Sequence, residues 1–204
     1  TGFIALFFIE FDGAFFDHPL STKLWGALFQ SVTARTAGFN TIPIASLSAV
    51  SLTIIMILMF IGASPGSTGG GIKTSTFAIL VLSLKNILLG KHDIEVYRRT
   101  IPSTIVYKTL ALIVAALFIL MSVFLLLLSV EPKPFLPLLF EAVSAFGTVG
   151  LSMGVTPDLT ISGKLLIILL MYGGRIGPLT LGFALTRVLR KEKIEYPEAK
   201  VMIG

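Results

Sequence analysis

Two short segments could do chemistry with their backbone rather than their side chains. Thr36-Ala37-Gly38-Phe39-Asn40 and Thr148-Val149-Gly150-Leu151-Ser152 each centre on a glycine. Glycine relieves the restriction on φ, so such a segment can turn successive carbonyls toward one axis. Rings of carbonyl oxygens replace the hydration shell of K⁺. The expected ligands are the backbone carbonyls of Thr36, Ala37, Gly38, Thr148, Val149 and Gly150, with Gly38 and Gly150 as the pivots. Two ordinary surface turns are the plainer alternative, but turns leave unexplained the short helices expected before each segment.

A third stretch, Gly62-Ala-Ser-Pro-Gly-Ser-Thr-Gly-Gly-Gly71, interrupts one of the most apolar parts of the chain and is followed by Ile72, Lys73 and Thr74. Glycine and proline at this density cannot continue a helix. At membrane depth such backbone survives only if it is buried in protein or lines a watery cavity. The stretch is therefore expected in an ion path, as a mobile gate built from Gly62, Ser64, Pro65, Gly66, Ser67, Thr68, Gly69, Gly70, Gly71 and Lys73. Shortening it within 66–71 should raise flux. The segment from Gly66 to Thr74 looks like a phosphate-binding loop, but Ile72 intrudes between the last glycine and Lys73. The spacing fails by one residue and no βαβ context surrounds it. Arg175 stands at a second break, Gly173-Gly-Arg-Ile-Gly-Pro178. A charge at that depth is expensive and usually faces an interior cavity. Arg175 either holds the 62–76 gate shut through its carbonyls or hydroxyls, or caps the half-span before it. Flux in Arg175→Ala separates the two. Lys73 either pairs with a carboxylate or sits at the inner edge of the cavity. Arg35 and Glu141 either position the filters or are solvated vestibule charges.

Composition sets the solvent. The 204 residues are 54% hydrophobic and 13% charged, with mean hydropathy +0.93. That is an integral membrane protein in a lipid bilayer. There is no cysteine, which excludes disulfides and thiolate metal sites, and His18 and His92 fall in polar connectors. Neither a catalytic constellation nor a bound cofactor is expected. The net charge of +5 is uneven: Lys85, Lys91, Arg98, Arg99 and Lys108 cluster, as do Arg187, Arg190, Lys191, Lys193 and Lys200. The positive-inside rule puts 85–108 and the tail in the cytoplasm, and connectors 10–22 and 131–134 outside. The basic stretches read as topology signals, not as a nucleic-acid surface. The chain opens inside an apolar run without an initiator methionine, so it reads as a piece of a longer polypeptide.

The elements that must hold these segments follow in order. Residues 1–9 end one span. After a connector, Ser21 or Thr22 can cap a helix through Ala34. That helix has about 12 residues where a span needs about 20, so it reads as a re-entrant half-helix. Residues 44–61 run to the glycine break and 74–90 continue to the cytoplasm, a broken helix. Residues 91–103 form a charged connector. Residues 104–130 are a full span of roughly 40 Å. A turn at 131–134, a half-helix over 135–146, an extended stretch at 147–152 and an outer loop at 153–160 lead into a long span over 161–190, broken at 173–178. The tail is 191–204.

The halves repeat. Leu28-Phe-Gln-Ser-Val-Thr-Ala-Arg35 matches Leu139-Phe-Glu-Ala-Val-Ser-Ala-Phe146, with Gly147 inserted after it. Thr36 then matches Thr148, Gly38 matches Gly150, and Gly62 matches Gly174, at a constant offset of 112. Both halves run in the same direction, unlike inverted-repeat transporters. The predicted fold is all-α: two M1–P-loop–M2 repeats, like those of K⁺ channels, with a broken M2 helix. A half-helix entering from outside aims its partly negative C-terminal end at the membrane centre, which favours a cation. The rival is an ion-coupled secondary transporter with a midplane substrate site. It would call for carboxylates within the spans, and only Glu141, in a half-helix, comes close.

The two filter segments resemble those of the Trk/Ktr/HKT superfamily of potassium transporters. Gly62 to Thr74 resembles the intramembrane loop of its third repeat, and Tyr196-Pro-Glu-Ala-Lys-Val-Met-Ile-Gly204 is similar to the C-terminus of the bacterial Ktr (KtrB-type) membrane subunit. The resemblance covers essentially the whole chain. It implies four repeats per polypeptide, of which these are the third (1–90) and fourth (104–190), with repeats one and two missing. It also implies a homodimer with one pore per protomer, and a cytoplasmic nucleotide-binding RCK ring (KtrA-like) on the basic inner face of the bacterial plasma membrane. K⁺ would be the transported ion and Na⁺ an activator. Lys73 and Arg175 look like the basic residues of the family's gate. Against a Thr-Val-Gly-Tyr-Gly ring, Ala37, Phe39, Asn40, Leu151 and Ser152 depart, so Na⁺ need not be strongly excluded.

Overall fold

The computed structural model describes residues 2–16, 18–90, 94–96 and 99–177. It is an all-α membrane fold of two M1–P–M2 repeats, with the last helix of the first repeat broken. The first repeat comprises α1 (Gly2–Ile9), α2 (Leu20–Thr33), α3 (Ala49–Phe60) and α4 (Thr74–Leu88). The second comprises α5 (Ser103–Val130), α6 (Phe135–Gly147) and α7 (Ile161–Ile176). Among the described residues α5 is the one helix both long and apolar enough to cross a membrane unaided. The half-helices α2 and α6 have 14 and 13 residues. At 1.5 Å per residue each reaches only about two-thirds of the way through the hydrocarbon core.

Four features depart from the sequence expectation. The span expected from residue 44 begins as a helix only at Ala49, behind its N-cap Ser48, and Ile44–Ser46 form a separate 3₁₀ turn. The α2 helix starts at Leu20 behind Pro19, and no side chain caps it. Proline is already fixed at a helix-compatible φ, and its carbonyl receives the Lys23 N–H at 3.1 Å, so Ser21 and Thr22 lie inside the first turn. The charged connector holds a two-stranded antiparallel hairpin, β1 (Ile94–Val96) and β2 (Arg99–Ile101), in the register Ile94↔Ile101. The α7 helix runs unbroken through Gly173 and Gly174 and stops at Gly177, whose φ is +90°. A Cβ on Gly174 would overlap the carbonyl oxygen of Phe146. Those glycines therefore mark close helix packing, the usual use of small residues between helices in lipid. The rest of the second span and the tail lie outside the described residues.

The centre of the molecule is α6, which packs against α3, α5 and α7. Its Leu138, Phe140, Ala142, Val143, Ala145 and Phe146 are all buried, and the Phe146 ring stacks on Phe60 at 6.0 Å. In lipid this packing is held by dispersion rather than by a hydrophobic drive between helices.

Each repeat also carries a clamp. Glu10 follows α1 and is buried; it accepts from the Ser48 N–H at 2.9 Å, the Ser48 hydroxyl at 2.6 Å and the Ala14 N–H at 3.0 Å. Glu131 follows α5, is equally buried, and accepts from the Thr160 N–H at 2.9 Å and its hydroxyl at 2.5 Å. Ser48 and Thr160 are the N-caps of α3 and α7, and they stand at the repeat offset. Each first helix is thus tied by a carboxylate to the positive end of its repeat's last helix.

Candidate ion-conduction site

The half-helices end in matched turns. The carbonyl of Thr33 receives the N–H groups of Ala37 and Gly38 at 3.1 and 3.3 Å. After α6, the Val149 N–H reaches the Ser144 carbonyl at 3.0 Å, and the Thr148 N–H reaches the Ala145 carbonyl at 3.0 Å. The backbone that follows is alike in both. Thr36 and Gly38 have φ of +70° and +75°; Thr148 and Gly150 have φ of +51° and +93°. They are matched pairs, and Ala37 and Val149 between them keep ordinary negative φ. Left-handed φ is costly for a β-branched residue. Two threonines adopting it at the same place in two repeats mark a backbone held for a purpose. The expected extended stretch is really this alternation of signs, and the non-glycine members gave no signal in the sequence.

The two segments meet. A Cβ on Gly38 would overlap the Val149 carbonyl oxygen, and one on Gly150 would lie 3.7 Å from the Gly38 Cα. Their outer flanks are tied differently. The Thr33 hydroxyl donates to the Phe39 carbonyl at 2.5 Å. In the second repeat Glu141 does the tying: it accepts from the Ser152 hydroxyl at 2.5 Å, the Met153 N–H at 3.0 Å and the Thr156 hydroxyl at 2.7 Å. Glu141 is 5% exposed, so of its two sequence readings the solvated charge does not hold. Phe39 and Asn40 are exposed, and Leu151 is buried.

The Gly-rich stretch forms a loop closed at its neck. The Gly62 N–H donates to the Ile72 carbonyl at 2.8 Å, Ile72 N–H to Phe60 at 3.0 Å, and Thr74 N–H to Ala63 at 3.2 Å. Ser64, Pro65, Gly66, Ser67 and Thr68 form its exposed tip. The return limb lies against Thr36 and Thr148. The Gly70 N–H donates to Thr148 Oγ1 at 2.9 Å, and a Cβ on Gly69 would sit 2.5 Å from Thr36 Oγ1. Gly71, at φ +71°, passes beside the carbonyls of Met59 and Phe60. Lys73 finds no carboxylate among the described residues; its Nζ donates to the carbonyls of Gly69 at 2.6 Å and Ser67 at 3.0 Å, holding the loop's own curve. Arg35 Nη1 reaches the Gly62 carbonyl at 3.5 Å, the outer limit of a hydrogen bond.

Arg175, in the last turn of α7, is exposed, and its side chain makes no hydrogen bond or ion pair among the described residues. It lines a cavity of roughly 720 Å³ together with Thr148, Gly150, Ser152, Glu141 and Tyr172. The structure thus gathers both filter segments, the loop and Lys73 into one place, and sets Arg175 on the same cavity wall as Thr148.

Comparison with known proteins identifies the family and the fold. The family described as TrkH, cation transport protein, matches residues 4–195. The chain is 44% identical over 182 residues to the Ktr system potassium uptake protein B of Bacillus subtilis, covering 89% of this chain and 41% of that protein. It is 40% identical over 203 residues to the Ktr system potassium uptake protein D of the same organism, covering 100% and 45%. The chain therefore spans less than half the length of these relatives. Among solved structures, the potassium transporter TrkH from Vibrio parahaemolyticus superposes with a TM-score of 0.77 at 24% identity, over 91% of this chain and 42% of that one.

Proposed function

Because the chain belongs to the TrkH family of cation transport proteins, we propose that it forms the second half of a pore that conducts K⁺ across the membrane. One observation carries the reading: Thr36, Gly38, Thr148 and Gly150 repeat the same left-handed torsions, and the two segments touch. Alternating the sign of φ brings successive carbonyls to one side of the chain, the arrangement a dehydrated cation needs. Both segments follow helix C-termini, whose partial negative charge adds to the attraction.

In this proposal the carbonyls of Thr36, Ala37, Gly38, Thr148, Val149 and Gly150 are ion ligands. The flanks from Phe39 to Asn40 and from Leu151 to Ser152 complete the two segments. Two strands supply half of a fourfold ring, so two further repeats of the full-length protein supply the rest. The 62–76 loop is the gate, with Lys73 shaping it and Arg175 as its partner. Its support is position: Gly69 and Gly70 lie directly against Thr36 and Thr148. Permeation is passive, with K⁺ as cargo, Na⁺ as an activator, and no catalytic step. The setting is a bacterial plasma membrane, with the protein as a homodimer carrying a cytoplasmic nucleotide-binding RCK ring (KtrA-like).

The test is Rb⁺ uptake by the full-length protein in cells without their own K⁺ uptake, with Gly150→Ser beside wild type. Serine at φ +93° is strained. Loss of Rb⁺ preference, with Na⁺ now competing, is the expected result. Unchanged uptake and selectivity would make 148–152 an ordinary loop.

A further inference from the structure

Glu141 stands apart from the groups used so far. It is on the inner turns of α6, 5% exposed, and both its oxygens are occupied. Oε1 accepts from the Ser152 hydroxyl and the Met153 N–H, and Oε2 from the Thr156 hydroxyl. No cation is bonded to it among the described residues. All three donors belong to the segment just beyond Gly150. The carboxylate therefore spans from the half-helix to the outer flank of the second filter and fixes where that flank sits.

The first repeat lacks this device. Its matched residue is Gln30, 1% exposed, with neither side-chain polar atom bonded among the described residues. There a single hydroxyl, Thr33 to Phe39, holds the flank. The two filters share torsions but not their ties. Three donors on one buried carboxylate are charge-assisted and stronger than one neutral bond.

We propose that Glu141 is a positioning residue that sets ion selectivity through Ser152 and Thr156. The proposal rests on 148–152 being a filter. K⁺ and Na⁺ differ in size by a few tenths of an ångström, so discrimination depends on how firmly the carbonyls are held. Ser152 lies two residues from Gly150. Freeing it lets the ring shrink around the smaller ion. The carboxylate binds no ion itself.

The experiment is Rb⁺ against Na⁺ uptake by the full-length protein in cells without their own K⁺ uptake, comparing Glu141→Ala, Glu141→Gln, Ser152→Ala and Thr156→Val. Glutamine keeps the acceptor for Ser152 and Met153, and its amide can donate to a rotated Thr156 hydroxyl. Losing a charge-assisted tie costs enough for about a tenfold change. The Rb⁺/Na⁺ preference should fall about tenfold in Glu141→Ala, and partially in Ser152→Ala and Thr156→Val, while Glu141→Gln retains most of it. If Glu141→Ala fails to reach the membrane, the two hydroxyl variants decide, because each leaves the carboxylate in place; Thr156→Val cuts one bond to it, and Ser152→Ala cuts one and also removes the acceptor of the Gly154 N–H at 2.9 Å. Rb⁺ and Na⁺ uptake falling together at constant ratio would make Glu141 a scaffold residue and overturn the proposal. Gly150→Ser serves as the control for the reading beneath it. A ratio lost there but kept in the Glu141, Ser152 and Thr156 variants overturns the proposal alone. A ratio kept in every variant overturns the filter reading too.

Discussion

The contact between Gly70 and Thr148 can be cut from either side, and both cuts should open the pore. Thr148→Val replaces the hydroxyl with a methyl of nearly the same volume and keeps the β-branching at φ +51°. It removes the acceptor of the Gly70 N–H, which lies 2.9 Å away. Gly70 is buried, so its donor is left unpaired, a penalty of about 1–3 kcal/mol on the closed arrangement. That shifts the closed-to-open ratio by roughly 5- to 150-fold. Gly70→Ala works from the other side. Gly70 keeps an ordinary φ, so alanine suits its backbone, but the Cβ would stand 2.6 Å from Thr148 Oγ1 and 3.1 Å from the Gly147 carbonyl oxygen. The loop must withdraw. This second variant leaves the threonine oxygen in place for any ion that uses it. The assay is initial Rb⁺ flux into liposomes containing the purified full-length protein, normalised to the amount inserted. Both variants should exceed wild type, at least about fivefold when the wild-type gate is mostly closed. Flux at or below the wild-type level in both would refute the view that this contact holds the gate shut.

Two further outcomes follow from the packing. Burial would raise the Glu10 carboxyl, but hydrogen bonds from the Ser48 hydroxyl and N–H and the Ala14 N–H outweigh it and hold the group below its ordinary value of 4.5. A depressed folded value means the clamp contributes its full stability above pH 4.5 and loses it as pH falls through the lowered value; melts in detergent should show wild type weakening in that window and Glu10→Gln, weaker at neutral pH, showing a flatter profile. Alanine normally improves a helix over glycine by about 1 kcal/mol, yet Gly174→Ala should destabilise by about 1–3 kcal/mol, because its Cβ overlaps the Phe146 carbonyl oxygen; a higher melting temperature for this variant would refute the close-packing account.

The sequence carried the plan of the fold because the plan is written in lengths and periods. Half-helices too short to span, a glycine break within an apolar run and a repeat offset of 112 are visible without coordinates. The site's main parts were legible for the same reason: glycine announces unusual torsions. What escaped notice depends on partners far apart in the chain. Thr36 and Thr148 carry left-handed torsions that no propensity for threonine suggests. Glu10 and Ser48 lie 38 residues apart, and Glu131 and Thr160 lie 29 apart. In one dimension Glu10 is simply part of an acidic connector. Gly173 and Gly174 read as a break because glycine breaks isolated helices, but against the Phe146 backbone they allow contact instead. The strands at 94–96 and 99–101 fall in a charged connector, and at three residues each they are too short to show the alternation that signals strands.

The repeat preserved the backbone and let the ties diverge. Four left-handed torsions agree between the halves, because carbonyl direction depends on φ and ψ alone. The side chains that steady those torsions differ. Beyond the pivot glycine, Thr33 ties the first segment and Glu141 the second. Before it, Thr148 accepts a loop N–H, while Thr36 Oγ1 is buried and unpaired among the described residues. The asymmetry has a cause in the chain itself. The 62–73 loop follows α3, and its return limb must cross toward α6, where Gly71 passes 3.6 Å from Gly147 at the position a Cβ would take. Of the stretch matched to the loop, the described residues up to Ile176 continue the α7 helix. The second repeat's segment is therefore gripped at both ends, by Glu141 beyond Gly150 and by Gly70 before it. A shift of the loop acts on Thr148, and a shift of the flank acts on Ser152, only four residues away. In the proposed pore the 148–152 segment joins opening to ion choice through hydrogen bonds on both sides of Gly150, whereas the 36–40 segment meets the loop through the packing of Gly69 against Thr36.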